Sequence, residues 1–186
     1  MSSEDEGLNA AEILAFWFSD RVKPKWFEPD AAFDAELNER FRPAHERAKA
    51  GELGSWTGTP EGALALVILL DQIPRNIERG RPAAFAADEQ ALAIAKQAVA
   101  RGFDAGLDPE KRQFLYLPFM HSERLEDQER GLELYTALGL AGPLDFMRQH
   151  RDVIARFGRF PHRNEMLARQ STEEEIAFLK QPGSRF

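Results

Sequence analysis

The sequence predicts an all-α fold, and three observations support that prediction. Helix start and stop signals recur along the 186 residues, because capping residues precede apolar segments and glycine or proline follows them. The apolar residues repeat at helical spacing, and no apolar–polar alternation is long enough to require a sheet. We therefore expect a single helical domain over residues 1–186, with residues 1–8 and 181–186 frayed.

The N-terminal half predicts three helices. The first is a short apolar segment at residues 11–18. Asp30 can cap the second helix, which Pro43 should end or kink because proline has no amide hydrogen. A hydroxyl, a proline and an acid at residues 59–61 start the third helix. The residues that follow are apolar on all sides, so we expect this helix to be central and to end or bend at Pro74.

The C-terminal half predicts two antiparallel helix pairs. Residues 87–101 pair with 108–121, and residues 123–138 pair with 143–156. The starts of the two pairs lie about 35 residues apart, close to the length of a tetratricopeptide repeat. We therefore expect a tetratricopeptide-repeat-like stack with a non-repeating N-terminal helical part packed on it. A last helix should follow a capping box formed by Thr172 and Glu175.

Composition excludes several classes of protein. The chain is 43% hydrophobic and 30% charged, which is unlike a disordered or a membrane protein. It has no cysteine, so disulfides, thiolate nucleophiles and cysteine-ligated metals are excluded. The net charge of -7 argues against nucleic acid as a partner. No export signal is visible, and we expect a cytoplasmic protein with no cofactor and no membrane contact.

The first of three polar clusters lies where the central helix should end, at Pro74. It consists of Asp71, Gln72, Arg75 and Asn76. These side chains can satisfy the carbonyls at the helix end and pair with one another. They can equally contribute to a ligand site, and the sequence leaves both interpretations open.

The second cluster follows Pro118, where the next apolar helix should kink. It contains His121, Ser122 and Glu123. Ser122 as an N-cap and Glu123 in the first turn of a helix need no further role. His121 is a candidate general acid or base, with Glu123 as the residue that orients it.

The third cluster is a loop rich in hydrogen-bond donors. Arg159, His162, Arg163 and Asn164 lie there between glycine and proline residues. Guanidinium, imidazole and amide groups suit an anion, and loops on rigid scaffolds commonly carry binding sites. The alternative is an arginine-rich elbow that pairs with acids of neighbouring helices.

These three stretches resemble the signature sequences of one bacterial family, the domain of unknown function 924 family. The matching segments are Leu-Asp-Gln-Ile-Pro-Arg-Asn at 70–76, Phe-Leu-Tyr-Leu-Pro-Phe-Met-His-Ser-Glu at 114–123 and Arg-Phe-Gly-Arg-Phe-Pro-His-Arg-Asn at 156–164. The resemblance implies an all-α, tetratricopeptide-like fold and no established reaction. The chain departs from the family at Ala168, where the family pattern is closer to glycine.

Three functions are compatible with this pattern. The first is a pocket for a small anionic molecule, formed where the three clusters converge, with hydrolytic or acid/base chemistry as an option. The second is an interaction module that holds a peptide in the groove of a helical stack. The third is a structural polar lock without a ligand. We expect no metal site, because no His-Glu-x-x-His or His-x-His spacing occurs.

Overall fold

A computed structural model describes residues 8–186, and this part of the chain confirms the all-α prediction. Within it, helices are joined by turns and short 3-10 segments, and no strand is present. The α-helices are α1 (Ala10–Trp17), α2 (Ala31–Lys49), α3 (Pro60–Val67), α4 (Ile73–Ile77), α5 (Asp88–Ala100), α6 (Pro109–His121), α7 (Leu125–Leu138), α8 (Ala141–Phe157) and α9 (Glu173–Leu179). None of the helices in this range is long and apolar enough to cross a membrane. The fraying expected at the N-terminus concerns residues that, apart from Leu8, lie outside the described range.

The third helix is central, as its apolar composition predicts. All residues from 62 to 74 are buried. Helices α1, α5 and α6 pack directly against α3. Burying apolar surface on every side of one segment makes that segment the core of the domain.

The break expected at Pro74 takes the form of a wide helical turn. Residues Ile68–Gln72 adopt π-helical geometry, in which the Ile73 amide donates to the Ile68 carbonyl oxygen five residues back. Helix α4 then continues to Ile77. Single π-turns of this kind occur mostly within α-helices and often at functional sites. The central helix is therefore interrupted without ending.

Two local expectations differ from the structure. Of the end or kink expected at Pro43, the end does not occur, because helix α2 continues to Lys49. Pro43 is exposed, so water can satisfy the carbonyl that loses its backbone donor. Ser122 does not cap α7, because that helix begins only at Leu125. The Ser122 hydroxyl instead donates to Asp127, at an oxygen–oxygen distance of 2.7 Å.

The predicted caps at other helix starts are formed. The side chains of Asp30, Thr59 and Thr172 each accept a hydrogen bond from a backbone amide in the first turn. Glu175 completes the capping box by accepting from the Thr172 amide. These local signals were sufficient because a cap depends on residues that are close in sequence.

The C-terminal half is a series of helices, each packed on the next from α5 to α8. Gly131 allows α7 to lie close to both α6 and α8. A Cβ at this position would lie 2.9 Å from the Met147 sulfur and 3.1 Å from the Phe119 Cβ. The tail after α9, predicted to fray, packs back on the domain. Its Ser184 is buried, and the ring of Phe186 stacks on His150 with centroids 3.8 Å apart.

Candidate functional site

A buried hydrogen bond joins the first two polar clusters. Asp71, in the π-turn, is fully buried, and its Oδ1 lies 2.7 Å from His121 Nδ1 at the end of α6. The side-chain amide nitrogen of Gln72 donates to the other carboxylate oxygen of Asp71 at 2.7 Å. The pair His121–Glu123 expected from the sequence is not formed. The carboxylate that orients His121 is Asp71, which lies 50 residues earlier in the chain.

The charges around this pair fix its protonation state. Burial opposes the ionisation of Asp71, but Arg75 and His121 outweigh it and hold the pKa of Asp71 well below its usual range. Burial, reinforced by Arg75, lowers the pKa of His121. At neutral pH the imidazole is therefore neutral and donates from Nδ1 to a carboxylate. The lone pair is then on Nε2.

Arg75 is held by a carboxylate from the next helix. Its two terminal nitrogens donate to the two oxygens of Asp88, at the start of α5, at 2.8 and 2.9 Å. Nη1 also donates to the Asp71 backbone carbonyl at 2.6 Å. This bidentate geometry is the strong form of a guanidinium–carboxylate pair. Arg75 therefore stabilises the π-turn and has few donors left for a ligand.

Arg163 is a buried guanidinium that has only a long contact with a carboxylate. The side chain is 6% exposed, and the rings of Phe85 and Phe160 each lie 4.6 Å from its central carbon. Nη2 donates to the backbone carbonyl of His121 at 3.1 Å, whereas the nearest carboxylate oxygen, of Asp88, is 3.7 Å from Nη1. Its buried Nε has no partner among the described residues. Burial, followed by repulsion from Arg75, lowers the pKa of Arg163 to about 10.

A cleft of about 250 Å³ lies beside these groups. His121 and Arg163 contribute to its wall, together with the apolar side chains of Phe85, Leu92 and Leu167. Three carboxylates also line the cleft, and each is paired with an arginine other than Arg163: Asp88 with Arg75, Glu89 with Arg124 and Glu123 with Arg169. Because Asp71 occupies Nδ1 of the imidazole, Nε2 is the nitrogen of His121 that remains for a molecule in the cleft. We call Asp71, His121 and Arg163 the cleft cluster.

Arg159 and Asn164 of the third cluster lie in a second network, which we call the C-terminal clamp. Its members are Glu123, Arg159, Asn164, Arg169 and Glu175. Glu175, 2% exposed, accepts from Arg159 at 2.7 and 2.8 Å and from Asn164 at 3.2 Å. Glu123 accepts from Arg169 at 2.8 and 3.0 Å and from the Phe160 amide at 2.7 Å.

Two predicted residues lie apart from both groups. Asn76 donates to Asp34 on α2 at 2.8 Å, on another side of α4. His162 packs against Phe160 and Phe186, with ring centroids 5.7 Å from each. Burial, followed by Arg163, lowers the pKa of His162 to about 4. The three clusters therefore converge only in part, through Asp71, His121 and Arg163.

The sequence did not indicate that Asp88 and Phe85 belong to the site. It also did not indicate that Arg169 pairs with Glu123, or that Asp71 orients His121. Asp88 is an acid in the first turn of α5, a position that a helix dipole already explains. No local signal marked it as the partner of Arg75. Among the described residues, no group of three or more His, Asp or Glu side chains is arranged to hold a metal ion.

The fold and the site together define the class of protein. It is an all-α protein with a buried Asp–His pair where the central helix is interrupted, beside a small cleft. The chain belongs to the family described as bacterial protein of unknown function (DUF924), whose model matches residues 13–183. This confirms the resemblance seen in the three sequence segments. A solved structure of a protein of unknown function from Agrobacterium tumefaciens, ATU0120, is similar to this chain. It is 44% identical, with a TM-score of 0.88, over 92% of this chain and 96% of that one. No curated protein matches the sequence.

Proposed function

We propose that the protein binds a small anionic molecule in the cleft, with Arg163 holding the anionic group and His121 acting as a general acid or base. Arg163 is the observation that carries this proposal. A buried guanidinium is incompletely paired when its Nε has no partner among the described residues and its contact with Asp88 is 3.7 Å long, and a bound anion would complete the pairing.

His121 is suited to proton transfer in this cleft. The neutral ring can accept a proton at Nε2, and Asp71, 2.7 Å from Nδ1, stabilises the imidazolium that results. Asp71 also holds the ring in one orientation and one tautomer. An imidazole that is paired with a carboxylate in this way can serve either hydrolysis or simple proton abstraction.

The size of the cleft favours a small molecule over a peptide. A volume of about 250 Å³ is slightly below the usual range for ligand pockets, and a peptide-binding stack needs a long open groove. A tetratricopeptide-like arrangement of α5 to α8 remains part of the proposal for the fold. The third function, a structural polar lock without a ligand, fits the C-terminal clamp better than the cleft cluster, because the clamp carboxylates are paired with arginines.

The test is a thermal-shift titration with inorganic phosphate and with small carboxylates such as acetate and benzoate. We expect at least one of these anions to raise the Tm of the wild-type protein, because a ligand that binds only the folded state stabilises it. Arg163→Met should abolish the rise, whereas His121→Asn, which keeps a donor to Asp71, should retain it.

The control is Arg159→Met, which removes an arginine of the same loop that already has a carboxylate partner. This variant should still respond to the anion. If none of the anions shifts the wild-type Tm, or if Arg163→Met responds as the wild type does, the proposal is wrong.

A further inference from the structure

His45 lies outside every cluster that the sequence singled out, yet it contacts the π-turn. It is on α2, is 3% exposed, and its Nδ1 lies 2.8 Å from the backbone carbonyl oxygen of Leu69. A carbonyl oxygen can only accept a hydrogen bond, so Nδ1 must carry the hydrogen. A buried imidazole thus donates to the main chain of the central helix, 24 residues away.

The Leu69 carbonyl has no backbone donor available. In a regular α-helix it would accept from the amide of Ile73, but that amide donates to Ile68 instead. In π-helical geometry it would accept from residue 74, which is a proline and has no amide hydrogen. An unpaired carbonyl in this buried segment would be costly, and His45 supplies the partner that the helix cannot.

We propose that His45 is a positioning residue that fixes the π-turn and thereby holds Asp71 against His121. Asp71 lies two residues after Leu69 in the same turn. A shift of that turn would move the Asp71 carboxylate, whose bond to His121 Nδ1 is 2.7 Å long. The functional meaning of this placement rests on the proposed role of His121. The placement itself can be tested without any ligand.

The first test is a double-mutant cycle between His45 and Pro74. His45→Leu should lower the Tm by roughly 3–10 °C, because it leaves the Leu69 carbonyl unpaired. Pro74→Ala supplies a backbone amide that can take over this carbonyl. In the Pro74→Ala protein, His45→Leu should therefore lower the Tm by less than half as much.

Phe41→Leu is the matched control, because it changes packing at another buried position of α2. Its effect on Tm should be the same with proline or alanine at position 74. If the loss caused by His45→Leu is equal in the two backgrounds, His45 does not compensate for the proline and the proposal is overturned.

The second test follows the His121 ring by ¹⁵N nuclear magnetic resonance in the absence of ligand. The wild type should show one tautomer, protonated at Nδ1. His45→Leu should give a mixture of tautomers. Phe41→Leu should leave the wild-type signal, and so should His45→Asn, whose amide can still donate to Leu69.

An unchanged His121 tautomer in His45→Leu would overturn the positioning role. If that variant does not fold, the same comparison is made in the Pro74→Ala background, where the Leu69 carbonyl has a backbone donor. There both the fold and the tautomer should be retained, and loss of either contradicts the proposal. A negative anion titration, by contrast, would remove the proposed function and leave this inference standing.

Discussion

The cleft cluster and the C-terminal clamp are built from the same residue types, but they differ in how completely their hydrogen bonds are satisfied. In the clamp, both oxygens of Glu175 and both oxygens of Glu123 accept hydrogen bonds, with an arginine on each carboxylate. In the cleft cluster, Arg163 has an unpaired nitrogen among the described residues and the Nε2 of His121 is left for the cleft. Saturated polar groups stabilise a fold, whereas buried groups with capacity to spare need an explanation.

Residues 148–169 contain six arginines, and the same difference in pairing separates them. Most of these arginines face acids: Arg151 pairs with Glu129, Arg156 with Glu174, and Arg159 with Glu175. Arg163 differs because its closest carboxylate oxygen is 3.7 Å away. The local basic charge is therefore mostly neutralised by folding, and Arg163 is a buried arginine of this segment with only a long contact to a carboxylate.

The largest expected effect is on the clamp, through Glu175→Ala. This change leaves the Arg159 guanidinium, the Asn164 amide and the Thr172 backbone amide without their shared acceptor. We expect a loss of about 3–4 kcal/mol in the free energy of unfolding, measured by urea denaturation. A loss below about 1 kcal/mol would show that the clamp is not the structural element described here.

The second effect is a fall in stability in mild acid. Burial, followed by His121, lowers the pKa of His150 to about 3, and that of His162 is lowered to about 4. Both rings stay neutral in the folded state between pH 6.5 and 5, whereas histidines of the unfolded chain take up protons in that range. Stability should therefore decrease as the pH falls, and these two rings should contribute about 3 kcal/mol of that decrease between pH 6.5 and 5.

Carboxylates are mostly ionised in this pH window, because their ordinary pKa values are about 4, so the slope is set mainly by the histidines. The double variant His150→Gln, His162→Gln should show a flatter profile between pH 6.5 and 5 when unfolding is followed by circular dichroism. A slope equal to that of the wild type would contradict the assignment.

The third effect separates two arginines of one loop. Arg163→Met should leave the Tm unchanged or raise it by about 2–4 °C, because it removes a buried charge whose nearest carboxylate oxygen, on Asp88, is 3.7 Å away. Arg159→Met should lower the Tm, because Glu175 loses its bidentate partner. The measurement is differential scanning calorimetry of both variants. If Arg163→Met had the lower Tm of the two variants, the distinction between a stabilising clamp and an incompletely paired cleft cluster would be wrong.

The smallest effect concerns Ala168, which has a left-handed backbone with φ of 52°. Alanine is strained there, and glycine is not. Ala168→Gly should stabilise the protein by up to about 1 kcal/mol, despite the greater freedom of glycine in the unfolded chain. Chemical denaturation measures this, with Ala177→Gly in helix α9 as a control that should be destabilising.

Ala168 also shows what the sequence could and could not provide. The departure from the family's glycine was visible in the sequence, but its cost became clear only from the backbone angle. Helix caps at Asp30 and Thr59 were predictable because they depend on neighbours three residues away. The Asp71–His121 pair was not predictable, because it depends on how α6 packs against the central helix.

The same reason explains the wrong partner for His121. Glu123 is near it in sequence, but α6 ends at His121 and the chain then turns toward the loop that carries Phe160 and Arg169. Side-chain chemistry indicated that polar groups lie at helix ends; His121 does end α6, whereas Asp71 lies in the wide turn of a helix that continues. Which of them meet was decided by tertiary packing, which local propensity does not encode.

The wide turn at Ile68–Gln72 also sets the direction in which the following side chains point around the helix axis. One residue corresponds to about 100° of rotation in a helix. With the turn in place, Arg75 faces Asp88 on one side of α4 while Asn76 faces Asp34 on the other. Removing one residue from the turn would rotate both contacts out of alignment at once. The number of residues between Pro60 and Ile77 is therefore as much a requirement of this protein as their identity.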